Sequence, residues 1–172
     1  MAQGFLSSVT GLTKQLYALV TSAGAADAGK IVATGSDGRL DNSLMPLGIG
    51  AATTQATASE SMGAGVFVNF HDVGGVFSAR LADNSNGRYA DGFVKESFAA
   101  DATATVYPVD GTNSELTGLT VSARYWLGTA GAVTATPLDA TDVANVNKVS
   151  QYLGVAKSAT ELVTDDRGFV IL

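Results

Sequence analysis

From residue 62 to the end of the sequence, short apolar runs alternate with turn residues at a spacing of about ten residues, which is typical of small all-β domains. The run VFVNFH at 66–71, the pair Gly74-Gly75 and the run VFSARL at 76–81 form the first such unit. Runs this short, rich in Val, Phe, Tyr and Thr and bounded by Gly, Asn and Asp, predict β-strands. Later runs that predict strands lie at 92–98, 103–109, 124–128, 133–137, 151–156 and 168–172. We therefore expect a mainly β fold, with residues 62–172 forming a small antiparallel β-barrel or sandwich and residues 139–148 forming a helical turn or a loop.

The first twenty residues carry a different periodicity. Apolar side chains follow at steps of four, three, four and three residues, at Phe5, Val9, Leu12, Leu16 and Leu19. These steps place the five side chains in one stripe, so the sequence predicts an N-terminal amphipathic helix with a heptad-type seam. A helix this short is marginal in water, and Gly11 lowers its propensity further. The stripe must therefore be buried, either against the rest of the chain or against other copies of it.

Residues 28–46, AGKIVATGSDGRLDNSLMP, are too short and too interrupted to form a domain, yet too apolar for a solvated linker. A turn sequence, GSDG at 35–38, divides them into two short extended pieces, and residues 47–61 have the low-complexity composition of a linker. We therefore expect an N-terminal helix and extended arm for anchoring and oligomerisation, residues 1–61, followed by the β body, residues 62–172. The side chains predicted to bind a partner are those of Phe5, Val9, Leu12, Leu16, Leu19, Ile31, Val32, Leu40, Leu44 and Met45.

Charged residues make up only 15% of the chain, against about 25% in an average globular protein. A surface this poor in Lys and Glu indicates that other protein covers part of it. The formal net charge of −6 and the absence of a basic cluster argue against nucleic acid as a partner. The chain has no cysteine, no apolar run near the ~20 residues that span a bilayer, and no secretory signal at its start. We expect a protein made in the cytosol that reaches its partners by assembly, with no membrane partner and no cofactor.

Candidate catalytic and metal-binding residues are few. His71 is the only histidine, and the sequence offers no Ser-His-Asp set or metal cluster around it, so a structural or surface role is favoured. The sequence DDRG at 165–168 is typical of a hairpin turn. The loop DNSNG at 83–87 lacks the bidentate glutamate of a calcium loop, which favours a plain turn. We predict no enzyme and no catalytic, cofactor or metal residues.

Several segments together carry a family resemblance: VFVNF at 66–70, RLAD at 80–83, RYADGFV at 88–94, ATATVY at 102–107, LTVSARYWLG at 119–128 and QYLGVAKSATEL at 151–162. They resemble a recurrent β domain of tailed-bacteriophage virion proteins, found in head decoration (cement) proteins, head fibres and some tail-associated proteins. GKI at 29–31 and LDNSLMP at 40–46 are similar to a connector that precedes such domains. The resemblance covers most of the chain and brings no catalytic or ligand residues with it.

This resemblance implies a homotrimer, or a similar oligomer, bound to the surface of a capsid or tail. We expect a structural virion protein, assembled in the host cytoplasm, whose partners are other copies of itself and the major capsid protein or another virion protein. The leading hypothesis is a capsid decoration protein that stabilises the shell across capsomer junctions. One alternative is a fibre or tail module that binds a receptor or glycan through Tyr89, Tyr125 and Trp126, for which core or interface packing is the competing use. A second is a glycan hydrolase that uses Asp165 or Asp166.

Overall fold

The computed structural model describes residues 4–9, 11–45 and 52–172. These residues fall into two compact units, Met1–Ala51 and Ala52–Leu172, which we call the N-terminal unit and the barrel unit. No helix in the described ranges has the length and apolar content to cross a membrane.

The N-terminal unit begins with a β-hairpin, so the helix predicted for this segment is wrong. Strands β1 (Gly4–Val9) and β2 (Leu12–Tyr17) pair antiparallel, and residues 10 and 11 connect them. Gly11 has a φ of 80°, the left-handed conformation that two-residue hairpin loops require. Residues 4–13, GFLSSVTGLT, are mostly Gly, Ser, Thr and Val, which are weak helix formers. Two short 3₁₀ turns, Ala25–Asp27 and Asn42–Leu44, follow the hairpin.

The first half of the barrel unit is a closed barrel. Its strands are β3 (Thr54–Ala58), β4 (Phe67–Val73), β5 (Val76–Leu81), β6 (Gly92–Val94) and β7 (Thr103–Pro108). They pair in the closed order β3-β5-β4-β6-β7; β3 and β5 are parallel, and the other pairs are antiparallel. Strand β3 lies in the segment that the sequence assigned to the linker, and it closes the barrel by pairing with both β5 and β7.

The second half of the barrel unit is an open sheet. Its strands are β8 (Thr112–Asn113), β9 (Arg124–Leu127), β10 (Val133–Thr134), β11 (Val149–Ala156), β12 (Leu162–Thr164) and β13 (Phe169–Ile171). They are antiparallel in the order β10-β9-β11-β12-β8, and β13 pairs with the first residues of β11. The segment 139–148 contains a 3₁₀ turn, Val143–Asn145, and the Ala144 N–H donates to the side chain of Asp142, the residue before the turn.

Two apolar clusters stabilise the barrel unit. On each of β4 and β6, one residue belongs to one cluster and its neighbour in sequence belongs to the other. Val68 on β4 and Val94 on β6 point into the barrel, where small residues such as Ala58, Ala79 and Ala104 line the narrow interior. The preceding residues, Phe67 and Phe93, point to the opposite face and pack with Leu127, Leu153 and Leu162 of the open sheet. The expected β body is therefore neither a lone barrel nor a simple sandwich, because the open sheet covers one outer face of a closed barrel.

Candidate partner-binding surfaces

Most of the large apolar side chains described in the N-terminal unit are exposed to solvent. None of the side chains described in residues 4–45 is buried. Leu6 is 79% exposed, Leu12 64% and Tyr17 59%. An isolated two-stranded hairpin is marginally stable at best in water, because it has no core against which its apolar face can pack. This unit therefore has the composition of a contact surface without a contact partner in its own unit.

The hairpin register places three residues of the predicted helical stripe on one face of the ribbon. Phe5 pairs with Leu16 across the strands, and Val9 pairs with Leu12. Directly paired residues point to the same face, as do residues four apart on a strand, so Phe5, Leu12 and Leu16 share a face. The side chain of Val9 lies outside the described part of the structure. Two residues four apart share a face in a strand as they do in a helix. Val9 and Leu12, three apart, are paired across the two strands because a two-residue loop separates them.

The remaining predicted contact residues lie outside the hairpin. Leu19 and Val32 form a parallel bridge, in which the Leu19 N–H donates to the Ile31 carbonyl and the Ala33 N–H donates to the Leu19 carbonyl, each at 2.8 Å. Leu19 and Leu44 are half-buried. The exposed members of this group are Ile31, Val32, Leu40 and Met45. Leu40 also borders a groove of about 330 Å³ that Val20, Asp37, Arg39 and Asp41 help to line.

The sequence prediction missed three exposed apolar residues of this unit: Leu6, Tyr17 and Val20. Leu6 and Tyr17 lie on the face opposite to Phe5, because their register partners are Gln15 and Gly4. The helical stripe excluded both residues. The signal that would have found them is Thr10-Gly11 between two apolar residues, since a two-residue loop ending in Gly is typical of a hairpin.

The three aromatic side chains proposed for glycan binding are not brought together. Tyr125 is buried in the core, where its hydroxyl accepts a 2.8 Å hydrogen bond from the Thr120 N–H. Trp126, the next residue on β9, points to the other face and meets Tyr152 edge-on at 5.8 Å between ring centroids. Tyr89 instead stacks on Phe169 at 4.1 Å, beside the buried Gln151. Because Gln151 and Tyr152 are consecutive on β11, the two aromatic pairs lie toward opposite faces of that strand.

His71, the candidate catalytic base, takes part in a local hydrogen bond. His71 Nε2 lies 2.8 Å from Ser59 Oγ, and burial, assisted by the charges of Arg80 and Arg88, lowers the His71 pKa. No carboxylate hydrogen-bonds to this imidazole among the described residues, so the pair lacks the third member of a catalytic triad. Ser59 Oγ also lies 3.1 Å from the Ala79 carbonyl, to which it donates.

In both acidic loops, the carboxylates bond to other groups of the barrel unit. In the loop at 83–87, Asp83 Oδ1 accepts from Ser85 N at 2.9 Å, and its Oδ2 accepts from Ala130 N at 3.0 Å. Burial raises the Asp83 pKa, but the hydrogen bonds outweigh it, so the pKa is lowered. Asp165 pairs with Arg167 at 2.6 Å in the loop 165–168. This loop joins β12 to β13, which both pair with β11 and not with each other, so the hairpin turn predicted here is wrong. Within the described ranges, no three His, Cys, Asp or Glu side chains are grouped to hold a metal ion.

No protein-family model matches the chain, and no curated protein matches its sequence. Among solved structures, the chain is similar to the N base of the head fiber gp8.5 of bacteriophage phi29. The two share 14% sequence identity, the alignment covers 66% of this chain and 93% of the other, and the TM-score is 0.45. At this identity and TM-score, the match carries no argument about the function of the chain.

Proposed function

We propose that this chain is a structural virion protein, a capsid decoration protein that associates through its N-terminal unit with two further copies and with the outer surface of a phage head. The observation that carries the proposal is the set of apolar side chains that the N-terminal unit exposes on both faces of its hairpin. The segments that resemble phage virion β domains support a phage particle as the partner.

The distribution of charge also favours contacts between copies through the N-terminal unit. Residues 1–51 contain three basic side chains, Lys14, Lys30 and Arg39, and three acidic ones, Asp27, Asp37 and Asp41, so this unit has no net charge. The full formal charge of −6 therefore belongs to the barrel unit, with 13 acidic and 7 basic residues. Electrostatic repulsion opposes contacts between barrel units but not between N-terminal units.

The energetics favour repetition of this contact. Complete burial of a large apolar side chain contributes about 1.5–3 kcal/mol, and ordering a residue costs about 1–2 kcal/mol for its backbone alone. One hairpin docked on one neighbour therefore gains little. A trimer presents three copies of the N-terminal unit together, so it binds a repeating shell surface with increased avidity. The proposed mechanism is burial of surface across capsomer junctions, with no chemical turnover.

The first test of this proposal is the subunit number of the purified chain, measured by sedimentation velocity. We expect a trimer, and we expect Leu6→Ser and Leu12→Ser, on opposite faces of the hairpin, to dissociate it. Val143→Ser is the matched control, because Val143 is an apolar side chain of the barrel unit with 83% exposure. A monomeric wild-type chain, or equal effects of Val143→Ser and Leu12→Ser, would contradict the proposed contact.

The second test addresses the particle. Purified protein is mixed with undecorated phage heads, and co-sedimentation and heat resistance of the heads are measured. Binding and raised heat resistance are expected for the wild-type chain, and both should fall for Leu12→Ser. A trimer that fails to bind heads at micromolar concentration contradicts the decoration role and leaves the oligomer contact intact.

A second candidate function is a fibre or tail module that binds a receptor or glycan. The observation that favours it is the Trp126–Tyr152 pair on the outer face of the sheet, with the Arg167 guanidinium 4.8 Å from the Tyr152 ring centroid. Tyr125 is no longer part of this candidate because its ring is in the core. On a glycan array, Trp126→Ala should abolish binding and Trp126→Phe should retain part of it, while the melting temperatures of both variants stay close to that of the wild type.

A further inference from the structure

A groove of about 260 Å³ lies in the barrel unit beside the stacked rings of Tyr89 and Phe169. Two carboxylates, Asp91 and Asp166, line it together with these rings. Its volume is below the range of about 300–1,000 Å³ that is typical of small-molecule pockets, so it has room for a single side chain. None of the residues that line the groove is basic.

The groove is held in shape by hydrogen bonds from below. The buried Gln151 side chain accepts from the Ala90 N–H at 2.7 Å and donates to the Ala90 carbonyl at 2.9 Å, which holds the segment that carries Tyr89 and Asp91. The Asp91 N–H donates to the Val68 carbonyl at 2.9 Å. Phe169 is the register partner of Gln151 on β11. The aromatic pair and the carboxylates are therefore preorganised, which reduces the entropy lost when a ligand binds.

Each carboxylate uses one oxygen for the fold and leaves the other available. Asp91 Oδ2 accepts from Phe70 N at 2.7 Å and from Asn69 Nδ2 at 3.1 Å, and Asp166 Oδ1 accepts from Gly168 N at 3.0 Å. Within residues 52–172, no hydrogen bond reaches Asp91 Oδ1 or Asp166 Oδ2. Burial, with a contribution from the charge of Asp166, raises the pKa of Asp91, as expected for two carboxylates with no cation between them.

The basic residues nearest to the groove in the sequence, Arg167 and Arg88, form their contacts elsewhere. Arg167 lies between Asp166 and Gly168, but its Nε donates to Asp165 at 2.6 Å and its guanidinium lies over the Tyr152 ring. Tyr152 is on the face of β11 opposite to Gln151. Arg88, which precedes Tyr89, pairs with Glu60 at 3.8 Å, and Arg80 is connected to Asp91 only through the Asn69 side chain, to which its Nε donates at 3.0 Å. Within residues 52–172, no Lys or Arg nitrogen therefore forms an ion pair with Asp91 or Asp166.

We propose that this groove binds the guanidinium group of an arginine side chain on a partner protein. A guanidinium is planar and stays protonated, so it stacks on the exposed face of Phe169 while its N–H groups donate to Asp91 Oδ1 and Asp166 Oδ2. The complementarity of charge selects this occupant. The proposal goes beyond the decoration role, since it concerns the barrel unit and holds whichever surface presents the arginine.

The probe for this site is Nα-acetyl-arginine amide, titrated into the full-length ¹⁵N-labelled chain at low ionic strength and followed by amide TROSY spectra. We expect saturable shifts confined to residues 89–91 and 166–169. Nα-acetyl-citrulline amide has nearly the same shape without the charge and should give no saturable shift. N-acetylglucosamine serves as the neutral sugar probe and should give none either.

Neighbouring aspartates provide the matched variants. Asp166→Asn keeps an acceptor for the Gly168 N–H and removes one charge from the groove, so the arginine probe should bind about two- to fivefold more weakly. Asp165→Asn alters the carboxylate that faces Arg167 outside the groove and should leave the affinity unchanged. Phe169→Leu removes the ring under the guanidinium and keeps β13 apolar, so it provides a second weakened variant if Asp166→Asn does not fold.

Three results would overturn the proposal. One is an equal response to the citrulline and arginine probes. Another is a response to the arginine probe that is scattered over the acidic surface or equally sensitive to Asp165→Asn. The third is a saturable shift at residues 89–91 and 166–169 with the sugar alone, which would assign the groove to a glycan.

Discussion

The N-terminal unit and the barrel unit differ in where they place apolar side chains. The barrel unit encloses Val68 and Phe67 in two separate clusters, whereas the N-terminal unit leaves Leu6 and Leu12 largely in water. Both units are made of short β-strands from similar residue types. The difference arises from strand number, because a closed barrel covered by a sheet has an interior and a two-stranded ribbon has none. This contrast predicts that the barrel unit folds by itself and that the N-terminal unit depends on a neighbour for its stability.

The contrast can be tested most strongly by truncation. A chain that begins at residue 52 should fold cooperatively as a monomer, because it retains both apolar clusters and every barrel strand. A chain that begins at residue 62 lacks β3, whose Ala56 and Ala58 are buried and whose backbone pairs with β5 and β7, and should not form a stable barrel. Thermal unfolding followed by circular dichroism, together with sedimentation velocity, measures both effects.

Either of two outcomes of this truncation would break the comparison. The first is a cooperative transition of the 62–172 chain at the same temperature as that of the 52–172 chain. The second is a 52–172 chain that keeps the subunit number of the full chain, since this would place the oligomer contact in the barrel unit.

Single truncations of apolar side chains compare the units at the next level. Phe93→Ala removes a ring that is 1% exposed and should lower the free energy of unfolding of the barrel unit by about 3–5 kcal/mol. Leu12→Ala should change the same quantity by less than about 0.5 kcal/mol, because Leu12 belongs to no core. Urea unfolding of both variants checks the difference. A large effect of Leu12→Ala on barrel stability would show that its apolar surface supports the barrel unit.

Glycine substitutions separate steric demand from backbone conformation. A Cβ at Gly92 would lie 2.5 Å from the Tyr107 carbonyl oxygen and collide with Val106, so Gly92→Ala should lower the stability of the barrel unit by about 1–3 kcal/mol. A Cβ at Gly11 meets nothing within 4 Å, but its φ of 80° costs an L-residue about 1–2 kcal/mol. Gly11→Ala should therefore weaken the oligomer in sedimentation and leave the unfolding of the barrel unit unchanged.

The smallest expected difference is in the response to pH. Burial raises the pKa of Asp91 in the barrel unit, so its contribution to stability is full below its ordinary pKa of about 3.8 and is lost as the pH rises through the raised value. In the N-terminal unit, the hydrogen bond from Lys30 lowers the pKa of Asp27, and hydrogen bonds from Ser43 lower that of Asp41. Their contributions are full above the ordinary pKa and are lost as the pH falls.

Melting curves of wild type and Asp91→Asn between about pH 3 and pH 6 check the barrel half of this prediction. The amide should remove the decline in barrel stability with rising pH and should not destabilise the protein at pH 6, because it retains an acceptor for Phe70 N. A variant that melts well below the wild type at pH 6 would show that the ionised carboxylate stabilises the fold.

The β character of the chain could be predicted from sequence because strand signals are local. The runs at 66–71 and 76–81 correspond to β4 and β5, and Gly74-Gly75 forms the turn between them. Strand β3 was missed because TQATA has the small polar composition of a linker, and only its parallel pairing with β5 and antiparallel pairing with β7 make it a strand. Its Ala residues suit the narrow barrel interior, and that constraint acts over about twenty to fifty residues of sequence separation.

The candidate site shows the same limit. The apolar residues of the N-terminal unit could be selected from sequence, and their predicted role in binding stays a prediction. The secondary structure predicted for residues 5–19 was wrong because residues four apart share a face in both a helix and a strand. Only the pairing of β1 with β2 distinguishes the two. The groove at Asp91 and Phe169 was not predicted, because its members come from a loop, from the segment after β12 and from the last strand.

The sequence by itself determined the residue types that this protein exposes and buries: few charges, a neutral apolar N-terminal unit, and an acidic remainder rich in strand-forming residues. These are properties of composition and short-range pattern, which need no contacts to be read. Closure of the barrel through β3, the covering of its outer face by the open sheet and the meeting of two carboxylates with a pair of rings depended on the tertiary structure. Each requires segments far apart in the chain to lie within hydrogen-bonding or van der Waals distance, and no local pattern contains that information.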